Sequence, residues 1–171
     1  MGSSEDEFRA FADASMPGLR RVAVGISRDP HTADDLVQTT MEKLFVAWPR
    51  VARAGSPYAY ARTTLVRTLL AETRRPWWRR EVVADDVEAA APRDDQAAVE
   101  DRVVVHDLLA RLTDRQRTCV VLRHLEGLTV AETAAAMGCS EGTVKSTTSE
   151  AIARMRGIAA GEAPSAREGA Q

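Results

Sequence analysis

Two cysteines, Cys119 and Cys139, are all the thiol chemistry this chain of 171 residues offers. So few thiols build no disulfide framework, and both lie within apolar helical patterns, where they read as small core residues. No C-x-x-C or H-x-x-x-H spacing joins them to His106 and His124, so no metal site is expected. No apolar run approaches the ~18 residues of a membrane span. The start, MGSSEDEF, is acidic where a signal peptide is basic and then apolar. A cytosolic protein with no membrane partner is the expectation. Also missing are a phosphate-binding glycine loop, a catalytic triad and any histidine–carboxylate cluster, so neither an enzyme nor a cofactor is expected. Strand-like alternation and internal repeats are lacking as well.

Hydrophobic residues make up 44% of the chain, enough to bury a core in one ordinary domain or two small ones. The net charge of -2 hides an asymmetry. From Arg50 to Arg80 eight arginines face one acid, Glu72, and from Glu81 to Asp101 eight acids face one cation, Arg93. Like charges in a block repel unless something compensates them, so such blocks point to partners; the blander alternative is that the two blocks neutralise each other. Inside the basic block, RRPWWRRE (Arg74 to Glu81) holds two of the three tryptophans.

The periodicity is helical nearly throughout. Ser4 and Glu7 have capping-box spacing and open a helix that Pro17 and Gly18 are expected to interrupt. Asp29-Pro30 is a cap followed by proline at the first helical position, and the pattern then runs to Trp48, where Pro49 is expected to stop it. Leu36, Val37, Met41, Leu44 and Trp48 share one face, while Asp35, Gln38 and Glu42 share another. Ser56-Pro57 repeats the cap signal for a helix from Tyr58 to about Arg75, with Tyr58, Ala61, Leu65 and Leu69 inward and Thr63, Arg67 and Arg74 opposite. Helical pattern resumes with AVEDRVVVHDLLARL, from Ala98 to Leu112, and Thr113 with Gln116 makes another capping box.

The most specific local signal is LTVAETAAAMGCSEGTVKSTTSEAIARMR, from Leu128 to Arg156. Thr129 and Glu132 cap a short helix, Gly138 falls where the chain must turn, and Ser140 caps the next helix. A small residue (Ala134), glycine four later and an aliphatic residue (Val144) six beyond that is helix-turn-helix spacing; an αα-hairpin without a DNA function shares it. In the second helix Val144, Thr148, Ala151, Ile152 and Met155 form the inward stripe, leaving Thr143, Ser146, Thr147 and Glu150 outward beside Lys145. These are side chains that reach base edges and phosphates. Arg111, Arg115, Arg117 and Arg123 would position the backbone. From Asp107 to Arg156 seven cations meet six acids, too weak a field for strong stand-alone binding.

TADDLVQTTMEKLFVAW, SPYAYARTTLVRTLLAETRR, an acidic stretch and LTDRQRTCVVLRHLEGLTVAETAAAMGCSEGTVKS, in that order, resemble the extracytoplasmic-function (ECF) sigma factors, the minimal two-domain sigma-70-type family. The arginine-rich, tryptophan-bearing version is similar to an actinobacterial branch. The resemblance implies an all-α fold of two small helical domains joined by an acidic linker, the second with the helix-turn-helix. Its divisions fall at 1–80 (core binding, minus-ten recognition and melting), 81–101 (linker), 102–158 (minus-thirty-five recognition) and 159–171 (a disordered tail). It implies core RNA polymerase as partner through the β′ clamp helices and β flap, promoter DNA, and an anti-sigma protein in many family members. Asp34, Asp35, Leu36, Gln38 and Glu42 would bind the polymerase. Arg50, Arg53, Tyr60, Thr63, Arg67, Arg74 and Arg75 would hold the opened minus-ten element, since melted strands offer phosphates to arginine and flat bases to aromatic rings. Arg115, Arg117, Ser140, Thr143, Lys145, Ser146, Thr147 and Glu150 would contact the minus-thirty-five element. KSTTSEA departs from the family's common K-S-R-L-H-R-A by losing two arginines and gaining Glu150. A stand-alone helix-turn-helix regulator would share L-T-x-R-Q-R and T-V-K-S, but such proteins carry a strand-containing domain that residues 1–80 do not suggest.

Overall fold

The computed structural model describes residues 4–73 and 104–161, and every described element is helical. The first unit comprises α1 (Ser4–Ile26), α2 (Pro30–Val46), the single turn α3 (Trp48–Val51) and α4 (Pro57–Glu72). The second comprises α5 (104–110), α6 (Asp114–Val120) running into a π-helical turn (Val121–Leu125), α7 (Val130–Met137) and α8 (Glu141–Ala159).

Local chemistry sets the helix starts. The Asp29 carboxylate accepts from the Thr32 amide at 2.8 Å and from its hydroxyl at 2.6 Å, with Pro30 at the first helical position. Ser56 accepts from the Ala59 amide at 3.2 Å ahead of α4. Thr113 with Gln116 and Thr129 with Glu132 form complete capping boxes, each satisfying an amide at both ends of the exchange.

Two prolines behave differently from expectation. Pro17 lies inside an unbroken α1. A mid-helix proline costs about 3 kcal/mol, but beyond it Leu19, Val22, Ala23 and Ile26 are all buried. Each buried large aliphatic returns about 1.5–3 kcal/mol, so burial wins. Gly18 is there for space, since a Cβ would stand 2.6 Å from the Tyr58 hydroxyl of α4. Pro49 does not stop α2 either: α2 ends at Val46, and Pro49 sits in the first turn of α3, where its missing amide costs nothing.

The first unit's core is the predicted stripe: Leu36, Val37, Met41 and Leu44 from α2 and Ala61, Leu65 and Leu69 from α4 are buried against α1. Trp48 closes one end, edge-on to Phe8 (centroids 5.3 Å apart) and tilted against Phe11 at 5.0 Å. In the second unit Val144 and Ala134 are buried where α8 meets α7. One apolar cluster runs through both units, because α1 and α4 also pack against α6 and α7.

Gly138 ends α7 in the left-handed conformation (φ 65°, ψ 43°). A Cβ there would meet nothing within 4 Å, so substitution tests backbone strain alone. Gly138→Ala is expected to cost about 1–2 kcal/mol, read as a lower urea midpoint at unchanged slope; an unchanged midpoint would contradict the turn geometry.

Candidate nucleic-acid interface

The outer face of α2 presents Asp34, Asp35, Gln38 and Glu42 to solvent. Asp34 is engaged by Arg20 of α1, whose Nε donates at 2.9 Å and Nη2 at 3.5 Å. That hydrogen bond, with the adjoining positive charge, holds the Asp34 carboxyl below its usual range. Gln38 donates to Glu42 at 3.2 Å, one turn along. Leu36 does not belong to this face. Only 2% exposed, it is part of the core stripe, as its spacing to Thr40 and Leu44 requires, and it has no surface to offer a partner. The face continues instead into Phe45 and Val46, 54% and 84% exposed. Sequence reading missed these two; the signal was the continued helical spacing from 35 through 38 and 42 to 45 and 46. Phe45 is braced edge-on by Phe8 at 5.2 Å.

Around the corner of the same unit, Arg50 of α3 donates to the Tyr60 hydroxyl of α4 at 2.6 Å, its guanidinium carbon 5.7 Å from the ring centroid. The fold thus brings together two residues ten positions apart into a cation beside a flat aromatic face. Arg53 is exposed in the following loop, and Thr63 is half-buried about one turn beyond Tyr60. Tyr58, like Tyr60, is half-buried against the core, and burial raises the Tyr58 hydroxyl pKa. Arg67 is exposed but not free. Its Nη2 donates to the Ala135 carbonyl at 2.8 Å and its Nε to that of Ala136 at 3.4 Å, both in α7. Arg74 and Arg75, the tryptophan pair and the acidic stretch 81–101 lie outside the described residues.

In the helix-turn-helix, Ser140 caps α8 by accepting from the Thr143 amide at 3.1 Å, and the two hydroxyls lie 2.8 Å apart. Lys145, Ser146 and Glu150 are exposed along α8, and Ser146 donates to the Thr143 carbonyl at 3.2 Å. Thr147 is not outward: at 9% exposure it lies on the buried face, one turn from both Val144 and Ala151. Arg115 is exposed, as a phosphate contact requires. Arg117 is not, being 1% exposed. Its Nε donates to the Leu109 carbonyl at 2.8 Å, Nη2 to Leu112 at 2.9 Å, and Nη1 to Ile26 and the Asp114 carboxylate, both at 3.2 Å. Every face of this guanidinium meets protein, so it has no donor for DNA.

Of the two cysteines, Cys119 is fully buried beside Met137 at 3.4 Å, and burial pushes its thiol up to about 11. Cys139, in the turn, is half-buried. Among the described residues no group of His, Cys, Asp and Glu could hold a metal ion, and no helix is long and apolar enough to cross a membrane. On the second unit, an apolar groove of about 440 Å³ opens between α5, the π turn and α8, lined among others by Val105, Leu108, Leu125, Ile152 and Met155.

Known proteins point the same way. Residues 11–79 match the family model of Sigma-70 region 2, and residues 102–155 match Sigma-70, region 4. The chain is similar to the RNA polymerase sigma-E factor of Streptomyces avermitilis, 36% identical over 154 residues that cover 88% of this chain and 83% of that protein. It is 30% identical over 155 residues to the ECF RNA polymerase sigma factor SigL of Mycobacterium tuberculosis, covering 86% of each. Among solved structures it resembles the sigma factor RpoE of Bartonella quintana, crystallised with the anti-sigma factor NepR, with a TM-score of 0.72, 25% identity and coverage of 90% of this chain and 97% of that one.

Proposed function

Because the chain belongs to the extracytoplasmic-function group of RNA polymerase sigma factors, which bind core polymerase and direct it to promoters, we propose a division of that work among its surfaces. The α2 face of Asp34, Asp35, Gln38 and Glu42, extended by Phe45 and Val46, docks on the clamp helices of the polymerase β′ subunit. Arg50, Arg53, Tyr60, Thr63 and Arg67 hold the opened minus-ten strand, and Arg74 and Arg75 are assigned to the same task. Arg115 and the exposed side of α8, led by Lys145 and Ser146, meet the minus-thirty-five element. The apolar groove beside Leu125 suits a hydrophobic helix, and we assign it to the β flap.

One observation carries this assignment: four of the five residues that the family resemblance nominates on α2, Asp34, Asp35, Gln38 and Glu42, form a single exposed strip, while Leu36 and the other apolar neighbours fill the core. The Arg50–Tyr60 pair supports the minus-ten reading, since stacking on an aromatic face beside a guanidinium is how unpaired strands are held without a duplex. Glu150, exposed on α8, is repelled by phosphate unless it accepts from a cytosine amino group, which argues for weak upstream contact. An anti-sigma protein is an expected further partner, as the Bartonella relative was solved in complex with one.

The stand-alone regulator is disfavoured. It would need a sensing domain where the region 2 match lies, and residues 4–73 contain no strand.

The purified chain alone is expected to bind promoter DNA poorly, and with core polymerase to yield transcripts that depend on the promoter. Tight, specific binding without polymerase, together with no run-off product in its presence, would overturn the assignment.

A further inference from the structure

Beside the apolar groove of the second unit, with His124, Ile152 and Arg156 as a common wall, lies another groove of about 480 Å³ whose chemistry is different. It runs between the π turn, the start of α7 and one flank of α8. Arg123, His124, Lys145 and Arg156 line it, and no carboxylate does. Three of the seven cations between Asp107 and Arg156 thus converge on one concavity.

The fold supplies no counter-charge for them. Among the described residues none of the four basic side chains is in an ion pair. Acids that could have compensated are engaged elsewhere: Asp114 with Arg117 and Arg28, Glu126 with Arg62, and Glu132 with the Thr129 amide and hydroxyl. Glu141 stands one turn before Lys145, outside the groove. Basic groups gathered in this way repel one another, and an anion from outside relieves that cost. Arg123 is held ready for one. Its Nη1 donates to the Leu128 carbonyl, which fixes the half-buried side chain in the groove wall and leaves the rest of the guanidinium fork for a ligand.

Position separates this groove from the face assigned to the minus-thirty-five element. At about 100° per residue, Lys145, Ser149, Ile152 and Arg156 fall in one stripe along α8, whereas Ser146 and Glu150 lie about 100° and 140° around from Lys145. Of the residues assigned to that element, only Lys145 lines the groove. Two features narrow the ligand. Lys145 and Arg156 are three turns apart, about 16 Å along the axis, so a single phosphate cannot meet both, while an elongated anion with several charged groups can. The floor between them is apolar, with Val130, Val144 and Ile152, and Ser149 adds a hydroxyl. A duplex backbone bridging the two cations would leave that floor unfilled. We propose that this groove binds a nucleoside polyphosphate, its phosphates on the basic side chains and its ribose and base over the apolar floor. The volume suits a ligand of that size.

Isothermal titration of the full chain with ATP tests this. One ATP should bind per chain with a Kd below about 0.1 mM, and the amide resonances that move should be those of Arg123, His124, Lys145, Ser149 and Ile152. Arg156→Glu and Lys145→Glu should each weaken binding by about tenfold. Both positions are exposed, so helix content should stay at the wild-type value. Arg154→Glu, also exposed but about 160° around the helix from Arg156, should change affinity by less than about twofold. Tripolyphosphate, which carries the charges without the ring body, should bind at least about fivefold more weakly than ATP. An absence of saturable binding, shifts centred elsewhere, an equal loss from Arg154→Glu, or tripolyphosphate matching ATP would overturn the proposal. It also falls if ATP does not bind while Arg156→Glu weakens binding of a short random-sequence duplex, because the groove is then a seat for the DNA backbone.

Discussion

Replacing Arg117 with alanine is expected to destabilise the fold by about 3–5 kcal/mol, the range for removing one partner from a buried charged network. The cost comes from what stays behind. The carbonyls of Leu112 and Ile26 lose this donor, that of Leu109 keeps only the Leu112 amide, and Asp114 loses one of its two arginine partners. Each buried carbonyl left unpaired is worth about 1–3 kcal/mol, and the side chain's own volume becomes a cavity. For a domain whose total stability is about 5–15 kcal/mol, such a loss approaches unfolding. Lysine keeps the charge but not the fork that spans Leu109 and Leu112, so Arg117→Lys should fall between alanine and wild type. Denaturant titration followed by circular dichroism reads all three. A loss below about 1 kcal/mol for alanine would mean that water substitutes for the guanidinium, contrary to its 1% exposure.

The second large effect is on assembly rather than folding. Asp35→Arg with Gln38→Ala should weaken binding to core polymerase by about thirtyfold or more, since reversing a charge at a complementary interface costs at least about 2 kcal/mol. Helicity should be unaffected. Both residues are exposed, and the Gln38–Glu42 hydrogen bond that the pair of changes removes is worth about 0.2–0.5 kcal/mol. Competition against wild-type factor for a limiting amount of core polymerase measures the change. Undiminished competition would remove α2 from the polymerase interface, whatever happened to the DNA-facing surfaces.

The contrast between these two variants shows which features were legible in the sequence. The α2 strip was, because a helix repeating every 3.6 residues announces its outer face, and Asp35, Gln38 and Glu42 fall there. The helix-turn-helix was legible for a similarly local reason: Thr129 with Glu132, Gly138 and Ser140 each answer a backbone requirement within four residues. Arg117 was not. As a sequence it is one arginine among several in a region expected to meet phosphate, and its burial depends on a carbonyl 91 residues earlier. Arg67 was half legible: its outward position follows from periodicity, whereas its attachment to Ala135 depends on a residue 68 positions away. Leu36 and Thr147 failed for a narrower reason, because each borders a functional face while its own spacing places it with the core. Pro17 was misjudged because local rules state the penalty of a proline and not the burial that overrides it.

The π turn at Val121–Leu125 carries one more consequence. From Arg117 to Leu122 six successive residues are buried, which no helix of constant phase manages against a single neighbour. One extra residue in the turn advances every later side chain by about 100° around the axis. The segment ahead of it keeps the phase that faces α8, and the turn itself meets Gly25 of α1 through Val121. A single inserted residue thus lets one continuous helix meet α8 ahead of the turn and α1 at the turn, both within the one apolar cluster that spans the two units.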